Sequence, residues 1–380
     1  MKVSLLTNFI PPYWLPTFLK LRSELDDFRI LISTAMEPDR DWAPQWRDLS
    51  VTVQRTWTIP CNWKHEAGFK EKIWRHLPYD TLPLLIRQRP DVIVSAQMGF
   101  RTMQAATYRR IFPRTRLVVW TPLSEHTEKG LSSARTLQRR VLLRSADAVI
   151  VNGTSGARYI AGLGVPPAKI FVLPCCADVG SHLKLPLDRN GSEARRLLYV
   201  GRLVELKGLA QFINAFSQSL AERPPEKWEL WVAGDGPLRQ DLQKLAACRG
   251  LNVSFLGNVP YEKVPEIYAR CGVLVLPTLS DEWGVVVNEA LASGLPVLGS
   301  VYSQAVEELV QDGKTGWTFR ADRPTEMMAA CNRALSRCKT QLGSMRQLCR
   351  EQVRRLTPEF GAACFLTAIR EARLRHGSDN

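Results

Sequence analysis

Short apolar runs alternate with longer amphipathic stretches along the first half of the chain. Runs of this length predict buried strands of a parallel sheet whose two faces are both covered by helices. Between the first two runs, Phe18, Leu21 and Leu25 form a stripe at helical spacing and predict a helix over residues 15–25. The predicted strands of this half are residues 3–7, 29–32, 91–95, 117–120, 148–152 and 170–174.

The alternation resumes after a polar segment, residues 178–196, which shows no periodicity and predicts a linker between two domains. Two α/β domains are therefore expected, over residues 1–177 and 197–356. A final helix is expected over residues 357–380, because Thr357 is a good N-cap and Pro358 suits the first helical position. The predicted elements of the second domain are strands 196–200, 228–233, 253–256, 273–276 and 297–299, with helices over 238–249 and 264–270.

Composition agrees with two globular domains. The chain has 380 residues, of which 45% are hydrophobic, enough to bury a sizeable core in each domain. No apolar run approaches the ~18 residues of a membrane-spanning helix, and the N-terminus begins a strand instead of a signal peptide. Nine cysteines without a C-x-x-C pair suit a reducing compartment and argue against a structural metal or a disulfide framework. We therefore expect a cytoplasmic protein, either free or attached peripherally at the inner face of the membrane.

The net charge is unevenly distributed. Residues 1–180 hold 25 Lys and Arg against 15 Asp and Glu, and so carry most of the total charge of +14. A negatively charged partner is therefore expected for the first half, either an anionic membrane surface or a phosphate-bearing lipid. No nucleic-acid recognition motif is present, which argues against nucleic acid as that partner.

The most informative segment is Asp-Glu-Trp-Gly-Val-Val-Val-Asn-Glu at residues 281–289. Gly284 ends a loop, and a helix is predicted to begin at Val285. The N–H groups at a helix start form an anion site suited to phosphate, and the carboxylates of Asp281 and Glu289 can accept hydrogen bonds from sugar or ribose hydroxyls. Together these features meet the requirements of a nucleotide-sugar pocket.

This segment resembles the E-x7-E motif of the retaining glycosyltransferases of family 4, also called glycosyl transferases group 1, which have the GT-B fold. Asp281 stands where the family has its first Glu, so the pattern here is D-x7-E; Glu282 takes that place only if the loop slips by one residue. The resemblance implies an α/β protein of two Rossmann-like domains whose parallel sheets face a central cleft, with the C-terminal helix crossing back onto the N-terminal domain. It assigns the acceptor to residues 1–177 and the nucleotide sugar to residues 197–356.

Further expected donor contacts follow other strands of the second domain. Gly201-Arg202 and Lys207 match the family's G-R-L-x3-K-G segment, whose Arg and Lys bind the donor diphosphate. Gly234 lies in a segment that resembles the family's G-x-G-P turn, although a plain strand-to-helix turn is the alternative. The family holds the nucleotide base where Asn258 and Val259 follow a strand. In the acidic segment the implied donor contacts are Asp281, Glu282, Trp283, Gly284, Val285, Val286 and Glu289.

The first domain carries fewer matches to the family. His126 roughly matches a His that the family places near the reacting sugar, against the alternative of a solvated loop residue. The loop over residues 8–16 lacks the Gly pair of many family members, so that contact cannot be transferred. Residues 55–89 are basic and rich in aromatics, with Trp57 and Trp74 among them. This stretch is either a set of helices with buried aromatics and a charged outer face, or a patch for the acceptor or a membrane surface.

The resemblance implies transfer of a sugar from a nucleotide diphosphate sugar to a hydroxyl of a glycan, glycolipid or small molecule, with retention at the anomeric carbon. Arg202, Lys207, Asp281 and His126 are the expected catalytic residues, and neither a cofactor nor a metal is expected. The D-x-D triplet at residues 39–41 is interpreted as surface, because it lies far from the acidic segment. The alternatives are an NDP-sugar epimerase of the same fold, a non-catalytic nucleotide-sugar-binding partner protein and a membrane-surface module.

Overall fold

The computed structural model describes residues 1–38, 46–130, 132–189, 191–221, 227–336 and 339–374. Contacts within the chain separate two compact units. The first unit comprises Met1–Asp178 together with the chain from Leu356 onward, and the second comprises Val179–Arg355. The D-x-D triplet of residues 39–41 lies outside the described residues.

The first unit is built on a parallel sheet of seven strands in the order β3-β2-β1-β6-β7-β8-β9. The chain adds β2 and β3 on one side of β1 and then crosses over, so that β6 pairs with the other side of β1. The strands of this unit are β1 (Lys2–Thr7), β2 (Asp27–Ile32), β3 (Ser50–Val53), β4 (Thr56–Lys64), β5 (Lys70–Pro78), β6 (Val92–Ala96), β7 (Arg116–Thr121), β8 (Ala148–Val151) and β9 (Ile170–Val172). Its helices before the second unit are α1 (Leu15–Glu24), α2 (Thr81–Gln88), α3 (Phe100–Ile111), α4 (Ser133–Arg144) and α5 (Thr154–Gly162), with a 3-10 turn at Pro167–Lys169.

The central strands of this sheet are buried on both faces. Every residue of β6, β7 and β8 is buried, as expected for parallel strands with helices on both sides. All six strands predicted for this half are present, with bounds shifted by one or two residues at most. The continuous apolar runs therefore identified the strands correctly.

Residues 55–89 form a hairpin over most of their length, so the helical interpretation of this stretch was wrong there. β4 and β5 pair antiparallel from Thr56–Pro78 to Lys64–Lys70, and only the residues from Thr81 onward form α2. β-branched and aromatic residues make up five of the nine residues of β4, TWTIPCNWK, and favour the extended conformation. Gly68 lies at the tip with a φ of +96°, which allows the chain to reverse.

The second unit contains a parallel sheet of six strands in the order β12-β11-β10-β13-β14-β15. All five strands predicted here are present, as are the two predicted helices. The strands are β10 (Arg196–Val200), β11 (Glu229–Ala233), β12 (Val253–Gly257), β13 (Val273–Leu276), β14 (Val297–Ser300) and β15 (Gly316–Phe319). The helices are α6 (Gly180–Leu183), α7 (Gly191–Ala194), α8 (Leu209–Ala221), α9 (Arg239–Cys248), α10 (Val264–Ala269), α11 (Val285–Ala292), α12 (Gln304–Leu309), α13 (Pro324–Leu335) and α14 (Lys339–Val353), with 3-10 turns at Glu205–Lys207 and Tyr261–Lys263.

Residues 178–196 are not the irregular linker that their composition predicted. They contain α6 and α7, and from Val179 onward they belong to the second unit. Arg189 is buried here, and its guanidinium donates hydrogen bonds to the carbonyl oxygens of Cys271 and Ser293, both at 3.2 Å. A polar side chain thus anchors the segment, and composition alone cannot distinguish such an anchor from a solvated residue.

The last described helix, α15 (Pro358–Leu374), returns to the first unit and packs against α1. Phe365 inserts among the rings of Trp14, Phe18 and Trp120, with centroid distances of 5.9, 6.3 and 5.1 Å. The predicted N-cap is confirmed, because the Thr357 hydroxyl accepts a hydrogen bond from the Phe360 N–H at 3.3 Å. In the described part of the chain, no helix has both the length and the apolar surface needed to cross a bilayer.

Candidate functional site

Most of the predicted site residues lie along one edge of the second sheet, where its strands end. Parallel strands present their carboxyl ends at a common edge, and loops from that edge bind ligands in α/β proteins. Arg202 follows β10, Lys207 ends the next 3-10 turn, Gly234 follows β11 and Asn258 follows β12. We call the following residues the edge site: Gly201, Arg202, Lys207, Gly234, Asn258, Val259, Asp281, Glu282, Trp283, Gly284, Val285, Val286 and Glu289.

Two loops of the edge site approach each other at Gly234. Its N–H donates to the Gly257 carbonyl at 2.7 Å, and its φ is +134°. A Cβ at this position would lie 2.0 Å from the Gly201 carbonyl oxygen. Glycine is therefore required to bring the turns after β10 and β11 together. The structure gives Gly234 a structural role, and its predicted contact with a donor stays a prediction.

Lys207 and Asp281 form an ion pair within the edge site. The other Asp281 oxygen accepts a hydrogen bond from the Trp283 N–H at 3.3 Å, and the Asp281 N–H donates to the Tyr302 carbonyl at 3.0 Å. Both charged side chains are half-buried, each being less than a fifth exposed. The sequence prediction that these two residues share a site is consistent with this contact.

Tyr199 supports the turn that carries Arg202. Its hydroxyl donates to the Arg202 carbonyl at 2.7 Å, and Tyr199 itself is fully buried. Burial raises the pKa of Tyr199 far above its usual value, and the nearby Asp281 charge raises it further. The hydroxyl therefore stays protonated and keeps donating to the turn at physiological pH.

The start of α11 is fixed by Gly284 and its neighbours. Gly284 has a φ of +99°, and a Cβ there would lie 2.7 Å from the Ser303 hydroxyl oxygen. The Trp283 indole N–H donates to Asn288 at 2.8 Å and so ties the loop to the helix. The first intrahelical N–H bond runs from Val287 to the Gly284 carbonyl. The preceding N–H groups belong to the first turn of a helix, which is where anions bind.

Glu289 is a buried carboxyl group on α11. It is 7% exposed, and one oxygen accepts a hydrogen bond from the Tyr268 hydroxyl at 2.9 Å. Burial raises the pKa of Glu289 to about 7, while the bond from Tyr268 opposes that rise. Glu289 is therefore a carboxyl group that gains or loses its proton near neutral pH.

Tyr268, from α10, was missed by the sequence analysis. It is fully buried, and burial together with the Glu289 charge raises its pKa well above the usual value. A buried tyrosine hydroxyl usually finds a hydrogen-bond partner, but the sequence does not reveal which one. The sequence therefore showed a tyrosine on a predicted helix, but nothing that linked it to Glu289.

Some predicted residues take a different place. Glu282 is exposed, and its carbonyl accepts a hydrogen bond from the Gln304 amide at 2.7 Å. Asn258 is also exposed, whereas Val259 is half-buried. His126 belongs to the first unit, in the loop after β7, where its N–H donates to the Ser124 hydroxyl at 3.3 Å. Its proposed role near a sugar stays a prediction.

Two units, each built on a parallel sheet flanked by helices, are the architecture of the GT-B class of fold. Among solved structures, HepE from Anabaena in complex with UDP superposes with a TM-score of 0.74 over 97% of this chain and 100% of that one. The two share 18% sequence identity, so this likeness concerns the fold. The predicted GT-B fold is confirmed.

Sequence comparisons identify the family. Residues 194–337 match the family model described as "Glycosyl transferases group 1", and residues 17–176 match the "Glycosyl transferase 4-like domain". The chain belongs to the group 1 glycosyl transferases.

Two relatives illustrate the range of this family. The alpha-D-kanosaminyltransferase of Streptomyces kanamyceticus is 33% identical over 151 residues, which cover 39% of this chain and 38% of the relative. The sulfoquinovosyl transferase SQD2 of Arabidopsis thaliana is 31% identical over 254 residues, which cover 62% of this chain and 48% of the relative. The match thus spans less than half of the length of either relative.

Proposed function

We propose that this protein is a retaining glycosyltransferase that moves a sugar from a nucleotide diphosphate sugar to an acceptor hydroxyl in glycan, polysaccharide or glycolipid synthesis. The observation that carries the proposal is the convergence of two cations, a helix start and a buried carboxyl group at the edge site. Both relatives are named for glycosyl transfer, one of a kanosaminyl and the other of a sulfoquinovosyl group.

Each part of the edge site has a role in this proposal. Arg202, Lys207 and the start of α11 stabilise the negative charge that develops on the departing diphosphate. Glu289 accepts hydrogen bonds from the ribose hydroxyls, and Asp281 accepts them from the donor sugar. Asn258 and Val259 flank the base.

No metal has a role in the proposed mechanism. The charges of Arg202 and Lys207, together with the positive end of α11, supply the compensation that a diphosphate needs. Catalysis is then mainly electrostatic and positional, because the donor and acceptor are held close together while charge moves to the diphosphate.

A thermal-shift panel with UDP, GDP, ADP and their sugar conjugates, all in EDTA, tests the donor site. A ligand at about 100 times its dissociation constant adds roughly 2.7 kcal/mol to the free energy of unfolding, which is easily measured. We expect one base to raise the melting temperature, and Arg202→Ala to abolish that shift. No shift with any nucleotide would contradict the proposal.

Product analysis separates the proposed transfer from its alternatives. A transferase consumes donor only when an acceptor is present, whereas an epimerase changes the donor sugar without one. Donor binding with no turnover, even after Asp281→Glu restores the usual family residue, would identify a non-catalytic binding protein.

We also propose peripheral contact of the first unit with an anionic membrane through the β4–β5 hairpin. Trp57 is 65% exposed and Ile59 is 44% exposed, and both lie on one face of the hairpin. On the opposite face, His76 contacts Glu37 of the same unit at 3.1 Å. The exposed basic side chains of the hairpin are Lys64, Lys70, Lys72 and Arg75.

Reversing the charge of Arg75 to Glu is expected to weaken binding to phosphatidylserine vesicles, because Arg75 pairs with Ile59 and so lies on the same face of the hairpin as Trp57. A basic side chain near such a surface contributes about 1 kcal/mol, and its reversal adds a repulsion of similar size, so the variant should bind more than about tenfold more weakly. Vesicle co-sedimentation at two salt concentrations measures this effect. The matched control reverses Lys244, which is exposed on the second unit; equal losses in both variants would exclude the hairpin.

A further inference from the structure

The first unit holds a buried cation at the switch point of its sheet. β1 lies between β2 and β6, so the chain leaves the carboxyl ends of β1 and β6 in opposite directions. In open parallel sheets, the crevice beside such a point is the usual place for a ligand. Asn8 follows β1, Gln97 follows β6, and Arg101 lies in the first turn of α3.

Arg101 is 5% exposed, and its hydrogen-bond partners among the described residues are neutral. Its Nη1 donates to the Asn8 amide oxygen at 3.1 Å and to the Ser33 hydroxyl at 2.6 Å, and its Nη2 donates to the Ala96 carbonyl at 3.1 Å. Its Nε is buried and has no hydrogen-bond partner among the described residues. Since a guanidinium has five N–H donors, three bonds leave part of it unsatisfied.

Other buried arginines of the same unit are paired with carboxylates. Arg139 contacts Glu128, and Arg116 lies 3.6 Å from Asp147. Arg101 has no carboxylate partner in the described part of the chain. Burial lowers the pKa of Arg101 to about 9, and no neighbouring charge opposes that fall. It remains a cation at neutral pH, and burying an unpaired cation is costly unless something else offsets its charge.

The surroundings of Arg101 also favour an anion. α3 follows Gly99, an N-cap residue that offers no side-chain hydrogen bond, and has no acidic residue in its first turn, so its N-terminus adds positive potential. A Cβ at Gly99 would meet nothing within 4 Å, so space beside the helix start is open. The Gln97 amide oxygen accepts a hydrogen bond from Asn8 at 3.3 Å, which places a second polar side chain at the same point.

We infer that Arg101, Asn8 and the start of α3 form a subsite for a tetrahedral oxyanion of the phosphate class, carried by the acceptor. A phosphate oxygen would take the place of the Asn8 amide oxygen on the guanidinium and pair it with a full negative charge. The assignment of this anion to the acceptor rests on the proposed function, whereas the existence of an anion site does not. Both a soluble sugar phosphate and the headgroup of a phosphate-bearing lipid present this chemistry.

Calorimetric titration of the full chain with inorganic phosphate tests the subsite. The background variant is Arg202→Ala, because the edge site also attracts phosphate. In that background we expect phosphate binding that Arg101→Gln weakens by about tenfold or more, since a charge-assisted hydrogen bond of about 1.4 kcal/mol corresponds to a factor of ten. Neither measurement needs donor or turnover, so failure of the subsite and failure of the donor site are separate results.

Asn8→Asp provides an independent test that leaves the guanidinium in place. The new carboxylate gives Arg101 a partner inside the protein, so we expect a higher melting temperature without ligand and weaker phosphate binding. This variant decides the matter if Arg101→Gln fails to fold. Phosphate binding that is unchanged by Asn8→Asp would overturn the inference, as would a higher melting temperature in a protein that never binds phosphate.

Two phosphate esters identify the source of the anion. Glycerol 3-phosphate represents a lipid headgroup and glucose 6-phosphate represents a soluble sugar phosphate, with glycerol and glucose as uncharged controls. Binding of either ester that depends on Arg101 supports the subsite and names its class of acceptor. Binding of inorganic phosphate alone, with neither ester, would indicate an adventitious ion only and would contradict the inference.

Discussion

Replacing Arg202 by alanine is expected to lower kcat by roughly 100- to 1,000-fold, the usual effect of removing one group that stabilises transition-state charge. Arg202 is the second residue after β10, and the Tyr199 hydroxyl holds this turn by donating a hydrogen bond to the Arg202 carbonyl. Because Arg202 also binds the diphosphate of the intact donor, KM should rise as well, and kcat/KM should fall further than kcat. Initial rates over a range of donor concentrations measure all three.

Arg333→Ala is the matched control for this prediction. Arg333 lies in the same unit on α13, where it pairs with Asp312 at the surface. Exposed ion pairs contribute at most about 1 kcal/mol to stability, so this variant should keep nearly all of its activity. If both variants lose activity equally, the effect comes from general destabilisation and Arg202 has no special role.

Replacing Glu289 by glutamine is expected to stabilise the protein above pH 7 while weakening its binding of nucleotide. The pKa of Glu289 is raised from 4.5 to about 7 by burial. Between these values the folded protein keeps a proton that the unfolded chain has lost, so the free energy of unfolding falls as pH rises. The full cost, on the order of 3 kcal/mol, applies above pH 7 and is absent below pH 4.5.

Glutamine removes that cost, so the variant should match the natural protein at pH 4.5 and exceed its melting temperature at pH 8. Nucleotide binding should change in the opposite sense. Ribose hydroxyls donate to the ionised carboxylate, so affinity should rise with pH through about 7 in the natural protein. The variant should bind about 10- to 100-fold more weakly, the worth of hydrogen bonds to a charged group, with no such pH dependence.

Two further variants check that this behaviour belongs to Glu289. Tyr268→Phe removes the hydrogen bond that lowers the pKa of Glu289, so it should move the midpoint of the pH dependence upward. Glu266→Gln alters an exposed residue of the same helix, α10, and should leave the pH dependence unchanged. A pH-independent difference in stability between Glu289→Gln and the natural protein would refute this assignment.

The sequence predicted the second unit well because the candidate site residues lie just after its strands. Arg202, Gly234 and Asn258 each lie within two residues of the end of a predicted strand, and parallel strands place their ends at one edge. The acidic segment added a glycine at a helix start, which the structure explains by a φ of +99°. Local sequence is sufficient where each contact is made by a residue at a strand end.

Contacts between distant segments could not be predicted in this way. Tyr268 meets Glu289 across 21 residues, and Arg101 meets Asn8 across 93. Neither pair has a spacing that indicates a contact, and both depend on how helices dock on the finished sheet. The prediction of helices for the β4–β5 segment was wrong for a related reason. Its mixture of aromatic and basic residues is compatible with a helix or a strand, and pairing between the two strands decides which one forms.

The ion pair between Lys207 and Asp281 has a consequence for the end of the reaction. The Lys207 ammonium and the Asp281 carboxylate are already partners within the fold. A ligand that separates them must therefore offer a new partner to each, or the free energy of the ion pair is lost. In the proposed reaction an intact nucleotide sugar would do so, with its diphosphate at Lys207 and its sugar hydroxyls at Asp281. The product nucleoside diphosphate would replace only the partner of Lys207 and leave Asp281 without its cation. We therefore expect re-formation of the ion pair to favour release of the product nucleotide and to limit its inhibition of the enzyme.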